Sequence, residues 1–550
     1  MEDTRIDELL RRRLTRREAL RAVVLGGAAA YASSLVGSTS AEAAAATSAT
    51  PAARPTGKTI DKVTIGMGDE PPIFDAHRAV GAASTYFTAN VYEGLTDVDI
   101  NNRLAPGLAT DWSISRDALI YEFRLRKDAK FHTGDPVTAK DVEFSFRRYR
   151  DPKVQPRQVV MQHLKDIQVV DNYTVRIILS QKDPTFLNFL SYQFTLRILS
   201  KNYYDKVGNE GFEKAPVGTG PYKFVRRAVK EFWELERFED YWGSKPAVKH
   251  AIFRVIPEAV TLASVLKTGE VDMVCNYPPV FVEEISKMRG LRVVKNKVSN
   301  TIDIRINSIR KTDPVTGAPN PFVDRRVRLA VNHAVDKDAI INNILKGMGE
   351  KIAVLFPEDV GYDPELKSYP YDPKKAKELL AEAGFPNGFD ATFYGLIGQR
   401  MPLSKEVGEA VAQYFTAVGI RTKVINEEYG IWVKRGDRTQ APEMYPMLYG
   451  LTFVGGTFHS AFGMKYYAYS GMPNSWWESK DYDAIVDEIF QTTDQAKVEQ
   501  LCRKGAKMLH DEAGYAVLYR VVMAYAMKDF LHFTPTVNST TVELKNLRSA

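Results

Sequence analysis

The sequence predicts an α/β chain of two or three domains, and three observations carry that reading. It is 550 residues long, where one domain takes about 100–200. Hydrophobic residues make up 44% and charged residues 26%, a globular balance with enough apolar surface for sizeable cores. Period-two and period-3.6 patterns of apolar residues alternate along the chain, so strands and helices are mixed throughout.

Residues 1–46 read as an address. Arg16 and Arg17 sit in Leu14-Thr-Arg-Arg-Glu-Ala-Leu20 behind a charged lead, and Ala22–Ala32 is weakly apolar and diluted by Gly26 and Gly27. Ala41-Glu42-Ala43 then offers a small-residue cleavage site, completing a signal peptide of the twin-arginine type. The apolar stretch is too short and interrupted for a membrane span of ~20 residues. Residues 47–58, rich in Ala, Thr and Pro, read as a flexible leader.

Thr59–Gly68 alternates as a strand, and Ser84–Gly94 reads as a helix closed by Gly94. Tyr121–Arg126 is a half-buried strand, Thr138 with Asp141 forms a capping box, and Val169–Leu179 and Glu231–Arg237 supply further strands. Glu258–Lys267 and Asp324–Val335 are helical, with Asp336 opening another helix. Pro373–Ala383 carries Pro at its start and Gly384 beyond its end. Ser404–Val418 leads through Gly419 into the strand Ile420–Ile425, and Asp481–Gln491 and Ala496–Glu512 are helices.

Several functions are disfavoured. Seventy-four basic residues against 68 acidic ones leave +6, scattered, without the dense basic stripe that nucleic acid requires. The eight histidines have no metal-ligand spacing, and neither Gly-x-Ser-x-Gly nor His-Glu-x-x-His nor Cys-x-x-Cys occurs. Pro221 after Gly218-Thr-Gly220 blocks a phosphate-cradling helix start. No enzyme, cofactor or metal is indicated. Cys275 and Cys502 are expected to be buried, unpaired thiols.

Eight runs in order carry a resemblance. They are Val91-Tyr-Glu-Gly-Leu95, Leu104–Trp112, Tyr121–Asp135, Thr138–Ser145, Gly218-Thr-Gly-Pro-Tyr222, Thr268-Gly-Glu-Val-Asp272, Pro321–Arg328 and Tyr371–Gly384. From about Ile60 to about Pro535 the chain resembles the peptide- and nickel-type extracytoplasmic solute-binding proteins of ABC importers. The resemblance implies a two-lobed periplasmic-binding-protein fold, with an extra subdomain inserted in the first lobe and the ligand cleft between lobes. Lobe one would hold 59–300 plus 526–550, with the insertion at about 95–215, and lobe two 301–525. Most of the shared runs are scaffold, Phe131-His-Thr-Gly-Asp135 being a turn between strand and helix.

A binding cleft needs apolar walls and a few fixed polar anchors. Aromatics are dense from Trp432 to Trp477, and Trp432, Tyr449 and Phe453 are the expected ligand walls, joined by Tyr92 and His459. Arg400 stands about where dipeptide-binding relatives hold a ligand carboxylate, which a guanidinium fork suits. Peptide-binding relatives also usually carry an aspartate that pairs with the ligand α-ammonium. The corresponding stretch here, Tyr449–Ser460, contains no carboxylate, which points away from a simple di- or tripeptide. The expectation is a monomeric, periplasmic, non-enzymatic protein that captures a small peptide-like solute by lobe closure and delivers it to permease subunits at the membrane. The alternatives are an opine, an oligosaccharide or a nickel chelate as ligand, or a sensor partner of a membrane chemoreceptor.

Overall fold

A computed structural model describes residues 58–79, 82–154, 161–191, 196–312, 317–356, 362–397, 403–439, 447–454 and 459–550. The signal-peptide reading, the leader to residue 57 and Arg400 lie outside them. Residues 52–550 form one compact unit.

Its frame is an eleven-stranded sheet. Ten strands, in chain order, are β1 (Ile60–Met67), β2 (Tyr222–Ala228), β3 (Phe232–Arg237), β4 (Val248–Val255), β5 (Met273–Val274), β6 (Leu291–Ile306), β7 (Phe389–Ile397), β8 (Ile420–Glu428), β9 (Met447–Val454) and β10 (Tyr515–Lys528). Their spatial order is β8-β7-β9-β6-β10-β5-β1-β4-β3-β2. β1 runs parallel to β4 and β5, β7 runs parallel to β8 and β9, and β6 lies antiparallel between β9 and β10. β6 and β10 span the molecule, and their ladder breaks register between Lys297 and Thr301.

Two large cores lie along this sheet, and β6 and β10 contribute to both. Val63, Ile65, Trp233, Phe253 and Met527 belong to the lobe-one core. Ile302, Ile304, Phe393, Val411, Phe415 and Leu518 belong to that of lobe two. The inserted subdomain builds its own core on a four-stranded antiparallel sheet, from Phe123, Phe146, Val175 and Ile177 among others. The two cysteines are buried and in no disulfide, Cys275 in the lobe-one core and Cys502 in a helical cluster of lobe two.

Local chemistry sets most element ends. The Asp141 carboxylate accepts the Thr138 backbone N–H at 3.0 Å and starts the helix Ala139–Tyr149. Asp372 caps Pro373–Glu382 by accepting the Lys375 N–H at 2.8 Å. The run Phe131–Asp135 is a turn, with the Phe131 N–H on the Asp135 carbonyl at 2.8 Å and Gly134 at φ 92°. One strand expectation needs correction. Val169–Leu179 divides into Leu164–Asp171 and Thr174–Leu179, because the Asp171 carboxylate accepts the Tyr173 N–H at 2.7 Å and folds the chain back on itself.

Candidate functional site

The region between the lobes is built on the crossing strand β6. Along Thr301–Asn307 its isoleucines point into the lobe-two core, while Thr301, Asp303, Arg305 and Asn307 form the opposite face and are also buried. The Arg305 guanidinium stands 4.0 Å from the Asp303 carboxylate, donates to the Asn474 carbonyl at 3.1 Å and lies over the Tyr467 ring. This charged pair ties the crossing strand to the 464–477 segment. Alternating Ile302-Asp-Ile-Arg-Ile306 reads locally as a strand with one wet face, so its burial escaped the sequence reading.

At the outer seam the inserted subdomain reaches lobe two. Lys182 Nζ donates to the Gln491 carbonyl at 3.0 Å, just beyond the end of the helix Lys480–Ile489. Burial, and then the Lys465 ammonium of lobe two, hold the His163 imidazole below its ordinary range.

The expected ligand residues separate into groups. Tyr449 and Phe453 sit on β9, in register with Arg305 and Ile302 of β6, so strand pairing brings these positions beside the charged pair. His459 caps the short helix Ser460–Gly463. Its Nδ1 accepts the Ala461 N–H at 3.2 Å, which places the ring proton on Nε2, and burial pushes its pKa down to about 4. His459 Nε2 and Ser460 Oγ are both buried and find no hydrogen-bond partner among the described residues. A buried N–H donor left in that state costs about 1–3 kcal/mol, and an acceptor atom on a ligand would recover it.

Trp432 lies on the helix Tyr429–Gly436, 6% exposed, packed into the lobe-two core. The helix is braced by Arg435, which bonds Glu427 at 2.7 Å and covers the Tyr394 ring. Tyr92 requires a correction. It is 2% exposed, its hydroxyl donates to the Phe74 carbonyl at 2.9 Å, and its ring packs on Phe87 and Phe212. Tyr92 is packed in the lobe-one core. Trp476 and Trp477 are likewise core, the former donating to the Gly436 carbonyl at 3.0 Å. Among the described residues no cluster of three or more His, Cys, Asp or Glu side chains is placed to hold a metal, and no helix is long and apolar enough to cross a membrane.

Residues 103–473 match the bacterial extracellular solute-binding proteins, family 5 Middle. The chain belongs to this family. Over 479 residues this solute-binding protein is 30% identical to heme-binding protein A of Haemophilus influenzae, covering 80% of this chain and 83% of the relative. It is 27% identical to the dipeptide-binding protein of Escherichia coli K12, covering 78% and 84%. Among solved structures it is similar to DppA of Helicobacter pylori, an ABC transporter-associated periplasmic binding protein in complex with the peptide STSA. That likeness has a TM-score of 0.76 and 28% identity, and covers 90% of this chain and 98% of the other. The two-lobed frame of these binding proteins is the one described above.

Proposed function

We propose that this chain is the substrate-binding component of an ABC importer, closing its lobes on a small peptide-like solute in the periplasm and handing it to the permease. The observation that carries this reading is the 28% identity, across 90% of the chain, to a transporter-associated binding protein solved with a peptide bound. The protein works as a monomer, without catalysis, after export and removal of residues 1–46. Lobe one comprises 59–300 with 526–550, and lobe two 301–525. Tyr449 and Phe453 supply walls, Arg400 meets a ligand carboxylate, and His459 Nε2 with Ser460 Oγ meets a ligand oxygen.

A second reading has its own support. Tyr449–Ser460 contains no Asp or Glu, so an α-ammonium would find no partner there. A ligand without a free amine, such as a blocked peptide, an opine, an oligosaccharide or a nickel chelate, fits that stretch better. A thermal-shift screen of the exported protein against free and amine-blocked peptides, opines, sugars and nickel–histidine distinguishes the readings. A ligand at 100 times its Kd adds about 2.7 kcal/mol. A shift with free-amine peptides supports the first reading, and a shift only with amine-free ligands supports the second. No shift with any small solute overturns both.

A further inference from the structure

Inside lobe two, between β10 and the helix Gln495–Asp511, lies a cavity of about 20 Å³, room for one water-sized particle. Its walls are largely apolar, including Val354, Leu355, Phe356, Leu509 and Val517. Lys337 enters it from the short helix that Asp336 caps, and is 3% exposed.

The polar groups around this cavity are spent elsewhere, with two exceptions. The Asn332 amide nitrogen donates to the Arg328 and Tyr515 carbonyls, and the Tyr369 hydroxyl donates to the His510 carbonyl. The Tyr515 hydroxyl donates to the Tyr467 carbonyl, and His510 is engaged by Asp511 and the Lys367 carbonyl. Among the described residues Lys337 Nζ makes a single hydrogen bond, to Ser368 Oγ at 2.8 Å. Two ammonium hydrogens and the serine hydroxyl hydrogen therefore remain to be placed. Among the described residues no carboxylate side chain lines the cavity, and the neighbouring charges Lys351 and Asp338 pair with each other. A buried ammonium without a counter-charge costs several kcal/mol, so a cavity into which Lys337 and Ser368 bring unspent donors suits an anion better than a water.

We propose that this cavity binds one small monovalent anion of chloride size, held by Lys337 Nζ and Ser368 Oγ. The electrostatics agree: burial and then Lys351 pull the Lys337 ammonium down to about 7, the condition a bound negative charge reverses. The site is independent of the ligand cleft and of the solute it takes.

The test is a set of thermal melts at pH 6 in which chloride replaces gluconate at fixed ionic strength. In the wild type, Tm rises saturably by about 1–3 °C. In Lys337→Met the rise disappears, and in Ser368→Ala the chloride concentration at half-effect increases by about 5–10-fold. Broadening of the chloride NMR line by the wild type, relieved by bromide, reads the same site without a variant. Absence of any chloride effect on the wild type overturns the proposal, and so does an equal effect in either variant. If Lys337→Met does not fold, Ser368→Ala and the line broadening decide.

Discussion

At the scale of single residues, the buried titratable groups pull stability in opposite directions. His77, His132 and His459 are each held at about 4, chiefly by burial. Below their ordinary pKa of about 6.5 the unfolded chain takes up three protons that the folded chain refuses, so stability is lost as pH falls from about 6.5 to about 4. Glu93 works the other way. Burial raises its carboxyl to about 7, against the hydrogen bonds from Trp242 Nε1 at 2.7 Å and the Tyr241 hydroxyl at 2.9 Å. The folded state keeps that proton where the unfolded state has lost it, so stability is lost as pH rises through the same range toward 7. Three groups outweigh one, and urea midpoints are expected to fall on acidification. Glu93→Gln removes the opposing contribution and makes that fall steeper; an unchanged slope would show Glu93 ionised in the native protein. Glycines in the Gly218–Tyr222 run act through contact. A Cβ on Gly218 would meet the Val91 carbonyl oxygen at 1.9 Å, and one on Gly220 the Asn90 oxygen at 2.7 Å. Gly218→Ala is expected to cost about 3 kcal/mol, read by chemical denaturation, which marks this run as scaffold.

At the scale of elements, what the sequence disclosed depended on how local the cause was. The capping box at Thr138, the Pro373 start and the bounds of Ser404–Val418 rest on neighbours within one turn, and they were legible. The turn at Asp171–Tyr173 is local as well, yet the apolar residues on both sides read as one run. Asp303 and Arg305 were not legible as buried, because what covers them comes from residues 464–477, more than a hundred positions on. Nor could the sequence tell Tyr92 in the lobe-one core from an aromatic wall, since both environments select the same residue type. The seam between the inserted subdomain and lobe two gives a further prediction. Lys182 meets the carbonyl of Gln491 near the negative end of a helix, a contact worth about 0.5–1 kcal/mol at an exposed site. Lys182→Met should speed release of a bound solute by about 2–5-fold, measured by stopped flow, while leaving the melting temperature of the unliganded protein unchanged. An unchanged release rate would mean the contact plays no part in holding the lobes together.

At the scale of the whole molecule, two strands, β6 and β10, carry the connection between lobes, and their ladder breaks register twice, widely between Lys297 and Thr301 and again between Ile302 and Asp303. Movement of one lobe against the other is expected at the wider break, where 298–300 have no partner on β10, because hydrogen-bonded strands resist bending where the register is unbroken. The Ser299 N–H is held by the Asn538 carbonyl at 3.2 Å, so it is the Asn300 amide that should exchange with solvent faster than those at 304–306, and slow when a solute binds. Equal protection at Asn300 and at 304–306 would place the flexing elsewhere.

Lobe one is also closed by residues 541–544. Asn90 donates to the Val542 carbonyl at 2.9 Å and accepts the Leu544 N–H at 2.8 Å, and Thr541 bonds Thr85 at 2.7 Å. Asn90 and Leu544 are 454 positions apart, an interval of about 20–90 s at ordinary rates of synthesis. Throughout it Phe87, Val91 and Tyr92 await partners on a ribosome-bound chain, and a product lacking residues 541–550 should accumulate as insoluble protein. Lobe one is thus finished only when residues 541–550 have been made, however early its other strands and helices leave the ribosome.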